Sequence, residues 1–339
     1  MAALSGLLAG TRDVTYNGRV NILLPPSPPR SSRLTPVVVG TACCLTAAIL
    51  YTGANICLRA LAGQMYQPWV ICVKESVTVA AVGPWLIYQM LLGRRVWPTT
   101  GPLVVLVAVG LAVQLVGNLG LLWALEVIGL SVTIPAVIAV NLTVSAVLGW
   151  IVLREAVTRR AMAAIGILVV AIVLLHVGVG GSSPQTADVR QVALAAGAAC
   201  LAGVTFAVLA VTIRKSVTGA IPPTTIIFVI TGMGLVSLGP LSWWRLGCEG
   251  LWATPPRLLG LMLLAGLLNF AAFLAITKGF QYTSVVRANV LNTSQASLAA
   301  VTGLLFFLEP LTLAGLLGIG LTVIGTILVE PPRRTGRDG

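Results

Sequence analysis

Charge is scarce in this 339-residue sequence: Asp, Glu, Lys and Arg together make up 9% of it, against about 25% in an ordinary soluble domain. Acids are rarer than bases, 9 against 21, and there is a single histidine, His176. Acid–base or metal-assisted catalysis gathers such groups at one place, and here they are scattered, which argues against a membrane-embedded transferase. The six cysteines (Cys43, Cys44, Cys57, Cys72, Cys200 and Cys248) form no Cys-x-x-Cys pair and have no adjacent histidine, so neither a metal site nor a disulfide framework is expected. No cofactor is implied. His176, at the end of an apolar run, reads as an interfacial polar tip.

What fills the chain instead is apolar. Hydrophobic residues account for 57% of it and the mean hydropathy is +0.99. Too little polar surface remains to cover a water-facing fold, which excludes a soluble enzyme. Residues 1–36 are polar and contain Pro25-Pro26-Ser27-Pro28-Pro29, the composition of an unfolded arm. The first long apolar run begins only after Arg30 and Arg33, so it reads as a true span and not as a cleaved signal.

At about 20 apolar residues per crossing, runs between charges, prolines and glycines predict spans near 37–58, 67–91, 102–123, 130–153, 161–179, 192–213, 223–244, 258–277, 284–307 and 311–329. The fold class expected is an all-α polytopic membrane protein of about ten transmembrane helices. The net charge of +12 follows the membrane, with no nucleic-acid partner implied. Arg94, Arg95, Arg154, Arg159, Arg160, Arg214, Lys215 and Lys278 fall in alternate loops with both termini, whereas the other loops hold only Arg59, Arg190, Arg245 and Arg257. By the positive-inside rule both termini are expected in the cytoplasm.

A shift of about 154 positions superimposes one half of the chain on the other. Glu155 then meets Glu309 and Thr158 meets Thr312. Ala146, Val147 and Gly149 meet Ala300, Val301 and Gly303, and Ile165-Gly166 meets Ile319-Gly320. Two five-span repeats are expected, at 37–180 and 192–330, with a tail at 331–339. An odd number of spans per repeat makes the copies cross in opposite directions, the inverted architecture of many secondary transporters. Arg159 and Arg160 after Glu155, against Leu313 and Ala314 after Glu309, agree with that inversion.

Over residues 37–330 the chain resembles the drug/metabolite transporter superfamily, in particular its ten-span EamA-type members. The likeness rests on Tyr51-Thr52-Gly53-Ala54-Asn55 ending at Arg59, on Lys74 in the second span, and on Ala124 to Gly166 with Pro135 and the Leu153-Arg154-Glu155 turn, repeated from Lys278 to Gly320. The second half departs from the pattern with Asn289 opposite Pro135 and with Pro310 after Glu309. The resemblance implies export of a small metabolite such as an amino acid or organic acid, with organic-phosphate or nucleotide-sugar exchange among its relatives, and a bacterial cytoplasmic membrane as its setting.

Ionisable groups inside a bilayer are functional candidates. Lys74 and Glu75 lie on the order of 12 Å into the second span at 1.5 Å per residue. As neighbours on a helix they diverge by about 100°, so they are expected not to pair well, one facing a central cavity and the other a neighbouring helix. Arg287, one turn into the ninth span, either lines the cavity or snorkels to the interface. It opens a polar series with Asn289, Asn292 and Gln295, which facing lipid would leave amides without partners. Asn141, with Thr143 and Ser145, is its counterpart in the first half. Gln114 and Asn118 in span 3, Asn269 in span 8 and Asn55 in span 1 complete the candidate solute-binding set, against the alternative of interhelical packing bonds. Glu155 and Glu309 read as turn or capping residues. The Ala314, Gly318 and Gly325 stripe reads as a close helix contact, within the fold or in a homodimer. The function expected is secondary transport of a small polar solute by alternating access. Three cavity charges, weakly positive in sum, favour a carboxylated or zwitterionic solute over a lipophilic cation.

Overall fold

The structure is a computed structural model and describes residues 36–155, 159–178, 189–307 and 313–328. Glu309, Thr158 and Thr312, and the two chain ends, lie outside the described residues. Among the described residues every regular element is a helix. In lipid a backbone must satisfy its own polar groups, and a helix does so within one segment.

In chain order the helices are α1 (Pro36–Leu61), α2 (Gln67–Leu91), α3 (Thr100–Ala112), a π-helical segment (Val113–Asn118), α4 (Leu119–Ile128), α5 (Leu130–Leu153), α6 (Arg159–Gly178), α7 (Val189–Thr218), α8 (Pro223–Trp252), α9 (Pro256–Tyr282), α10 (Val285–Asn292), α11 (Ser294–Phe307) and α12 (Leu313–Ile327). Pro68, Pro223 and Pro256 stand in the first turns of α2, α8 and α9, where a missing N–H has no helical partner to lose. Gly247 (φ 66°) interrupts α8, close to the end expected at residue 244. Seven helical stretches are long and apolar enough to cross a membrane, and α6, the α10–α11 pair and α12 correspond to the other crossings expected. The protein is an all-α polytopic integral membrane protein. Exposed Trp85, Tyr88 and Trp97 near the end where α1 begins, and Trp243, Trp244 and Trp252 toward the other, are placed like the aromatic belts of membrane proteins.

Three boundaries differ from the sequence reading. The third span runs on to Ile128, with only Gly129 (φ 78°) between α4 and α5. Helix α9 continues past Lys278 to Tyr282, because an exposed lysine near a helix end reaches water and need not stop the helix. The ninth span is broken: α10 ends at Asn292, Thr293 intervenes, and α11 starts at Ser294.

The helices pair mainly across the two halves. Helix α1 packs on α9, with Gly40 against Tyr282 and Thr283 and Gly53 against Leu268, so the two run antiparallel. Helix α7 packs in the same way on α4 and the π segment, α2 on α8, and α6 on α12; α5 packs on α7 as α10 and α11 pack on α1. Exchanging the two halves carries each of these pairings onto another or onto itself. Fully buried Ala195, Ala199 and Ala202 of α7 belong to the principal core with Val137 and Ile138 of α5. Small residues serve such contacts because lipid supplies no hydrophobic drive between helices, and close van der Waals packing must do so. Gly325 of α12 is used within the fold, since a Cβ there would stand 2.7 Å from Cγ of Leu168 on α6.

Candidate functional site

Helices α1, α2, α4, α5, α7, α8, α9, α10 and α11 and the π segment enclose a cavity of about 160 Å³. It is lined by Asn55, Lys74, Glu75, Gln114, Asn118, Asn141, Asn269, Asn289, Asn292 and Gln295, together with apolar residues. Of the candidate set only Arg287 is elsewhere.

On one wall Lys74 and Glu75, each 2% exposed, form an ion pair with Nζ 2.9 Å from Oε1. This corrects the expectation that the two would not pair. Their long side chains bridge the angular offset of adjacent helix positions, and no other described charge lines the cavity to offer either one a partner. An isolated ion at this depth would cost far more than the strain of pairing. Lys74 Nζ also donates to Asn118 Oδ1 at 3.4 Å, and Asn118 Nδ2 donates to Gln114 Oε1 at 2.7 Å and lies 3.5 Å from Glu75 Oε1. Gln114 Nε2 in turn donates to the carbonyl of Ile230 on α8 at 3.1 Å. Gln114 and Asn118 both belong to the π-helical segment, an irregularity that recurs at functional sites. The wall is therefore a connected chain from α8 through the π segment to the pair on α2. Only Glu75 Oε2 has no hydrogen-bond partner among the described residues.

Two glycines let neighbouring helices close around the pair. A Cβ on Gly266 of α9 would stand 2.6 Å from the Lys74 carbonyl oxygen, and one on Gly234 of α8 would stand 3.0 Å from Glu75 Cγ and from Gln114 Cδ. Any larger residue at either place pushes a helix off the ion pair.

A second polar wall comes from α5 and the broken ninth span. Asn289 Nδ2 donates to Ser145 Oγ at 2.7 Å, tying α10 to α5. One turn further along both antiparallel helices, Asn141 and Asn292 face the cavity, and the Oδ1 atom of each is buried without a hydrogen-bond partner among the described residues. Gln295 follows on α11, beyond the break at Thr293. Asn55 and Asn269 add amides from α1 and α9.

Arg287 turns away from the cavity: its Nη2 donates to Thr41 Oγ1 of α1 at 3.0 Å. Ser284 and Glu155 occupy the start of α10, the Ser284 hydroxyl accepting from the Arg287 N–H at 3.3 Å and Glu155 Oε2 from the Val285 N–H at 3.0 Å. Glu155 thus caps α10, across the repeat boundary. Its Oε1 pairs with Arg214 Nε of α7 at 3.1 Å, and Arg214 Nη1 donates to the carbonyl of Phe280. Phe280 itself lines the cavity, so this cluster holds the end of the cavity nearest the start of α1.

Sequence reasoning overlooked Tyr51, Phe206, Phe273 and Phe280, all of which line the cavity. An aromatic residue on a membrane helix looks the same in sequence whether it faces lipid or a cavity. Among the described residues no three His, Cys, Asp or Glu side chains come together in a group able to hold a metal ion.

Residues 193–330 match the model of the EamA-like transporter family. No curated protein matches the chain. One solved crystal structure, described only as that of a protein, is similar with a TM-score of 0.62 at 16% identity, covering 85% of this chain and 95% of its own. At that identity the likeness shows the fold.

Proposed function

We propose that the protein is a secondary transporter exporting a small polar metabolite by alternating access around the central cavity, a reading supported by the match of residues 193–330 to the EamA-like transporter family model. The observation that supports this most is the Lys74–Glu75 ion pair in the cavity wall. Charges kept at such depth are costly to a membrane protein and mark solute or ion pathways. The cavity, at about 160 Å³, is smaller than the roughly 300–1,000 Å³ of sites for drug-sized ligands, which favours a metabolite of amino-acid size.

With Arg287 turned toward α1 and Lys278 exposed, the charges lining the cavity are one lysine and one glutamate, and they cancel. A zwitterionic solute, such as an amino acid, fits this balance better than an organic anion. An organic phosphate would call for several converging bases, and among the described residues Lys74 is the one base that lines the cavity. A lipophilic cation would have to displace Lys74 from the one carboxylate there. Because the helices of the two inverted repeats, 37–180 and 192–330, pair mainly with each other, the movement we propose is a shift of these cross-repeat pairs against one another. The Glu155–Arg214 cluster is the contact that would part when the cavity opens at the end where α1 begins, which the distribution of basic residues assigns to the cytoplasm.

The test is a thermal-shift screen of the purified full-length protein against amino acids, organic acids, sugar phosphates, nucleosides and cationic dyes, beside the double variant Lys74→Met/Glu75→Gln. A ligand of the folded state raises its apparent stability. Zwitterions are expected to stabilise the wild type and not the variant, and the same compounds to leave proteoliposomes in efflux assays. Stabilisation by phosphates or dyes alone, or an unchanged response in the folded variant, overturns the proposal.

A further inference from the structure

The two polar walls of the cavity differ in how their hydrogen bonds are used. On the α2 side each charged or amide group has a protein partner, the single exception being Glu75 Oε2. On the α5, α10 and α11 side the Asn289–Ser145 bond is made, but Asn141 Oδ1 and Asn292 Oδ1 are buried acceptors with no donor among the described residues. Buried polar groups in folded proteins are as a rule satisfied, and two orphaned carbonyls one turn beyond an existing interhelical bond, both lining a cavity, call for donors from what occupies it. The two amides lie on different helices, α5 and α10, which pack on each other, so a solute end entering this side of the cavity is offered an acceptor from each.

Resting on the transporter reading above, we propose that Asn141 and Asn292 are the specificity-determining residues for the far end of the solute. The solute class is then two-headed: an ionised end at Lys74–Glu75 and an uncharged hydrogen-bond donor at Asn141 and Asn292, either a carboxamide, whose two N–H groups can serve both carbonyls, or a hydroxyl, whose single O–H serves one. An aliphatic tail leaves both carbonyls orphaned. A charged tail has no counter-ion on this wall, whose cavity-lining polar residues are all amides. Apolar residues that also line the cavity, among them Val137, Ile138 and Phe273, suit the short methylene linker of such a molecule. Sites built to hydrogen-bond a ligand group discriminate strongly against analogues lacking it, by on the order of 10⁴-fold in the best cases, because their own groups are left unpaired.

Equilibrium binding to the purified full-length protein is measured with matched probes: L-glutamine against L-norleucine, L-homoserine against L-norvaline, and 4-hydroxybutyrate against pentanoate. In at least one pair the wild type is expected to prefer the member with the polar tail by about tenfold or more. Asn141→Leu/Asn292→Leu, or Asn292→Ala alone where the double variant does not fold, is expected to reduce that preference to less than about threefold, by weakening the polar partner and, since the removed carbonyl is no longer left unpaired, strengthening the aliphatic one. Lys74→Met/Glu75→Gln is expected to weaken both members of the pair and keep their ratio. Equal wild-type affinities within every pair, or a preference that survives loss of the amides, overturns this inference while the transporter reading stands. Absence of binding by all six probes overturns both.

Discussion

The wall built on α2 and the wall built on α5 face the same cavity, yet they solve opposite problems. Lys74, Glu75, Asn118 and Gln114 form a chain that ends on the Ile230 carbonyl, so the charges are kept at depth by the protein itself. The Oδ1 atoms of Asn141 and Asn292 have no such partner among the described residues, and being neutral they can stand unpaired at modest cost. Charge must be neutralised before a solute arrives, whereas amides can wait for one. The difference separates residues whose loss is felt in folding from residues whose loss is felt in binding.

The comparison breaks most severely at the ion pair. Glu75→Ala leaves Lys74 buried without a counter-ion and is expected to lower stability by about 3–5 kcal/mol. Lys74→Met/Glu75→Gln, which removes both charges, is expected to recover most of that loss while solute binding stays weakened; unfolding midpoints of the two variants side by side decide the point. Asn118→Leu takes away the acceptor at Lys74 and the donor to Gln114, a loss of about 1.5–3 kcal/mol for a bond to a charged group, read in the same assay. Gly266→Val forces a side chain into the Lys74 backbone and is expected to cost about 1–3 kcal/mol by overpacking, with cavity binding weakened as α9 moves away from α2. Arg214→Gln acts at the far end of the cavity. Both partners there are about one-fifth exposed (20% and 18%), so its stability effect is expected to be at most about 1 kcal/mol, and altered efflux kinetics are its stronger readout. Asn292→Leu sharpens the contrast from the other side, with an unfolding midpoint close to wild type and a clear loss of solute affinity.

Much of the fold was legible along the chain because lipid imposes one dominant rule. An apolar run of sufficient length becomes a helix, and seven of the runs read from sequence are helices that qualify as spans by themselves. Polar residues within those runs were legible for the same reason: Asn55, Asn118, Asn141, Asn269 and Asn292 were conspicuous against their surroundings, and the structure brings them to one cavity. Arg287 was equally conspicuous and lies outside it, since a long side chain near a helix end can turn either way. The break at Thr293 and the π segment at Val113–Asn118 left no mark in composition, because neither contains a proline.

Sequence by itself determined that this is a helical membrane protein with a duplicated pattern and a few deep polar residues, because hydropathy and charge are local properties summed along the chain. Only the tertiary structure decided which of those residues meet. The direction of a side chain depends on what the neighbouring helices offer it. Lys74 pairs with Glu75 because no other charge among the described residues lines the cavity, Glu155 caps α10 because α5 ends beside it, and Asn141 and Asn292 reach the same cavity because α5 and α10 are packed together at the Asn289–Ser145 bond.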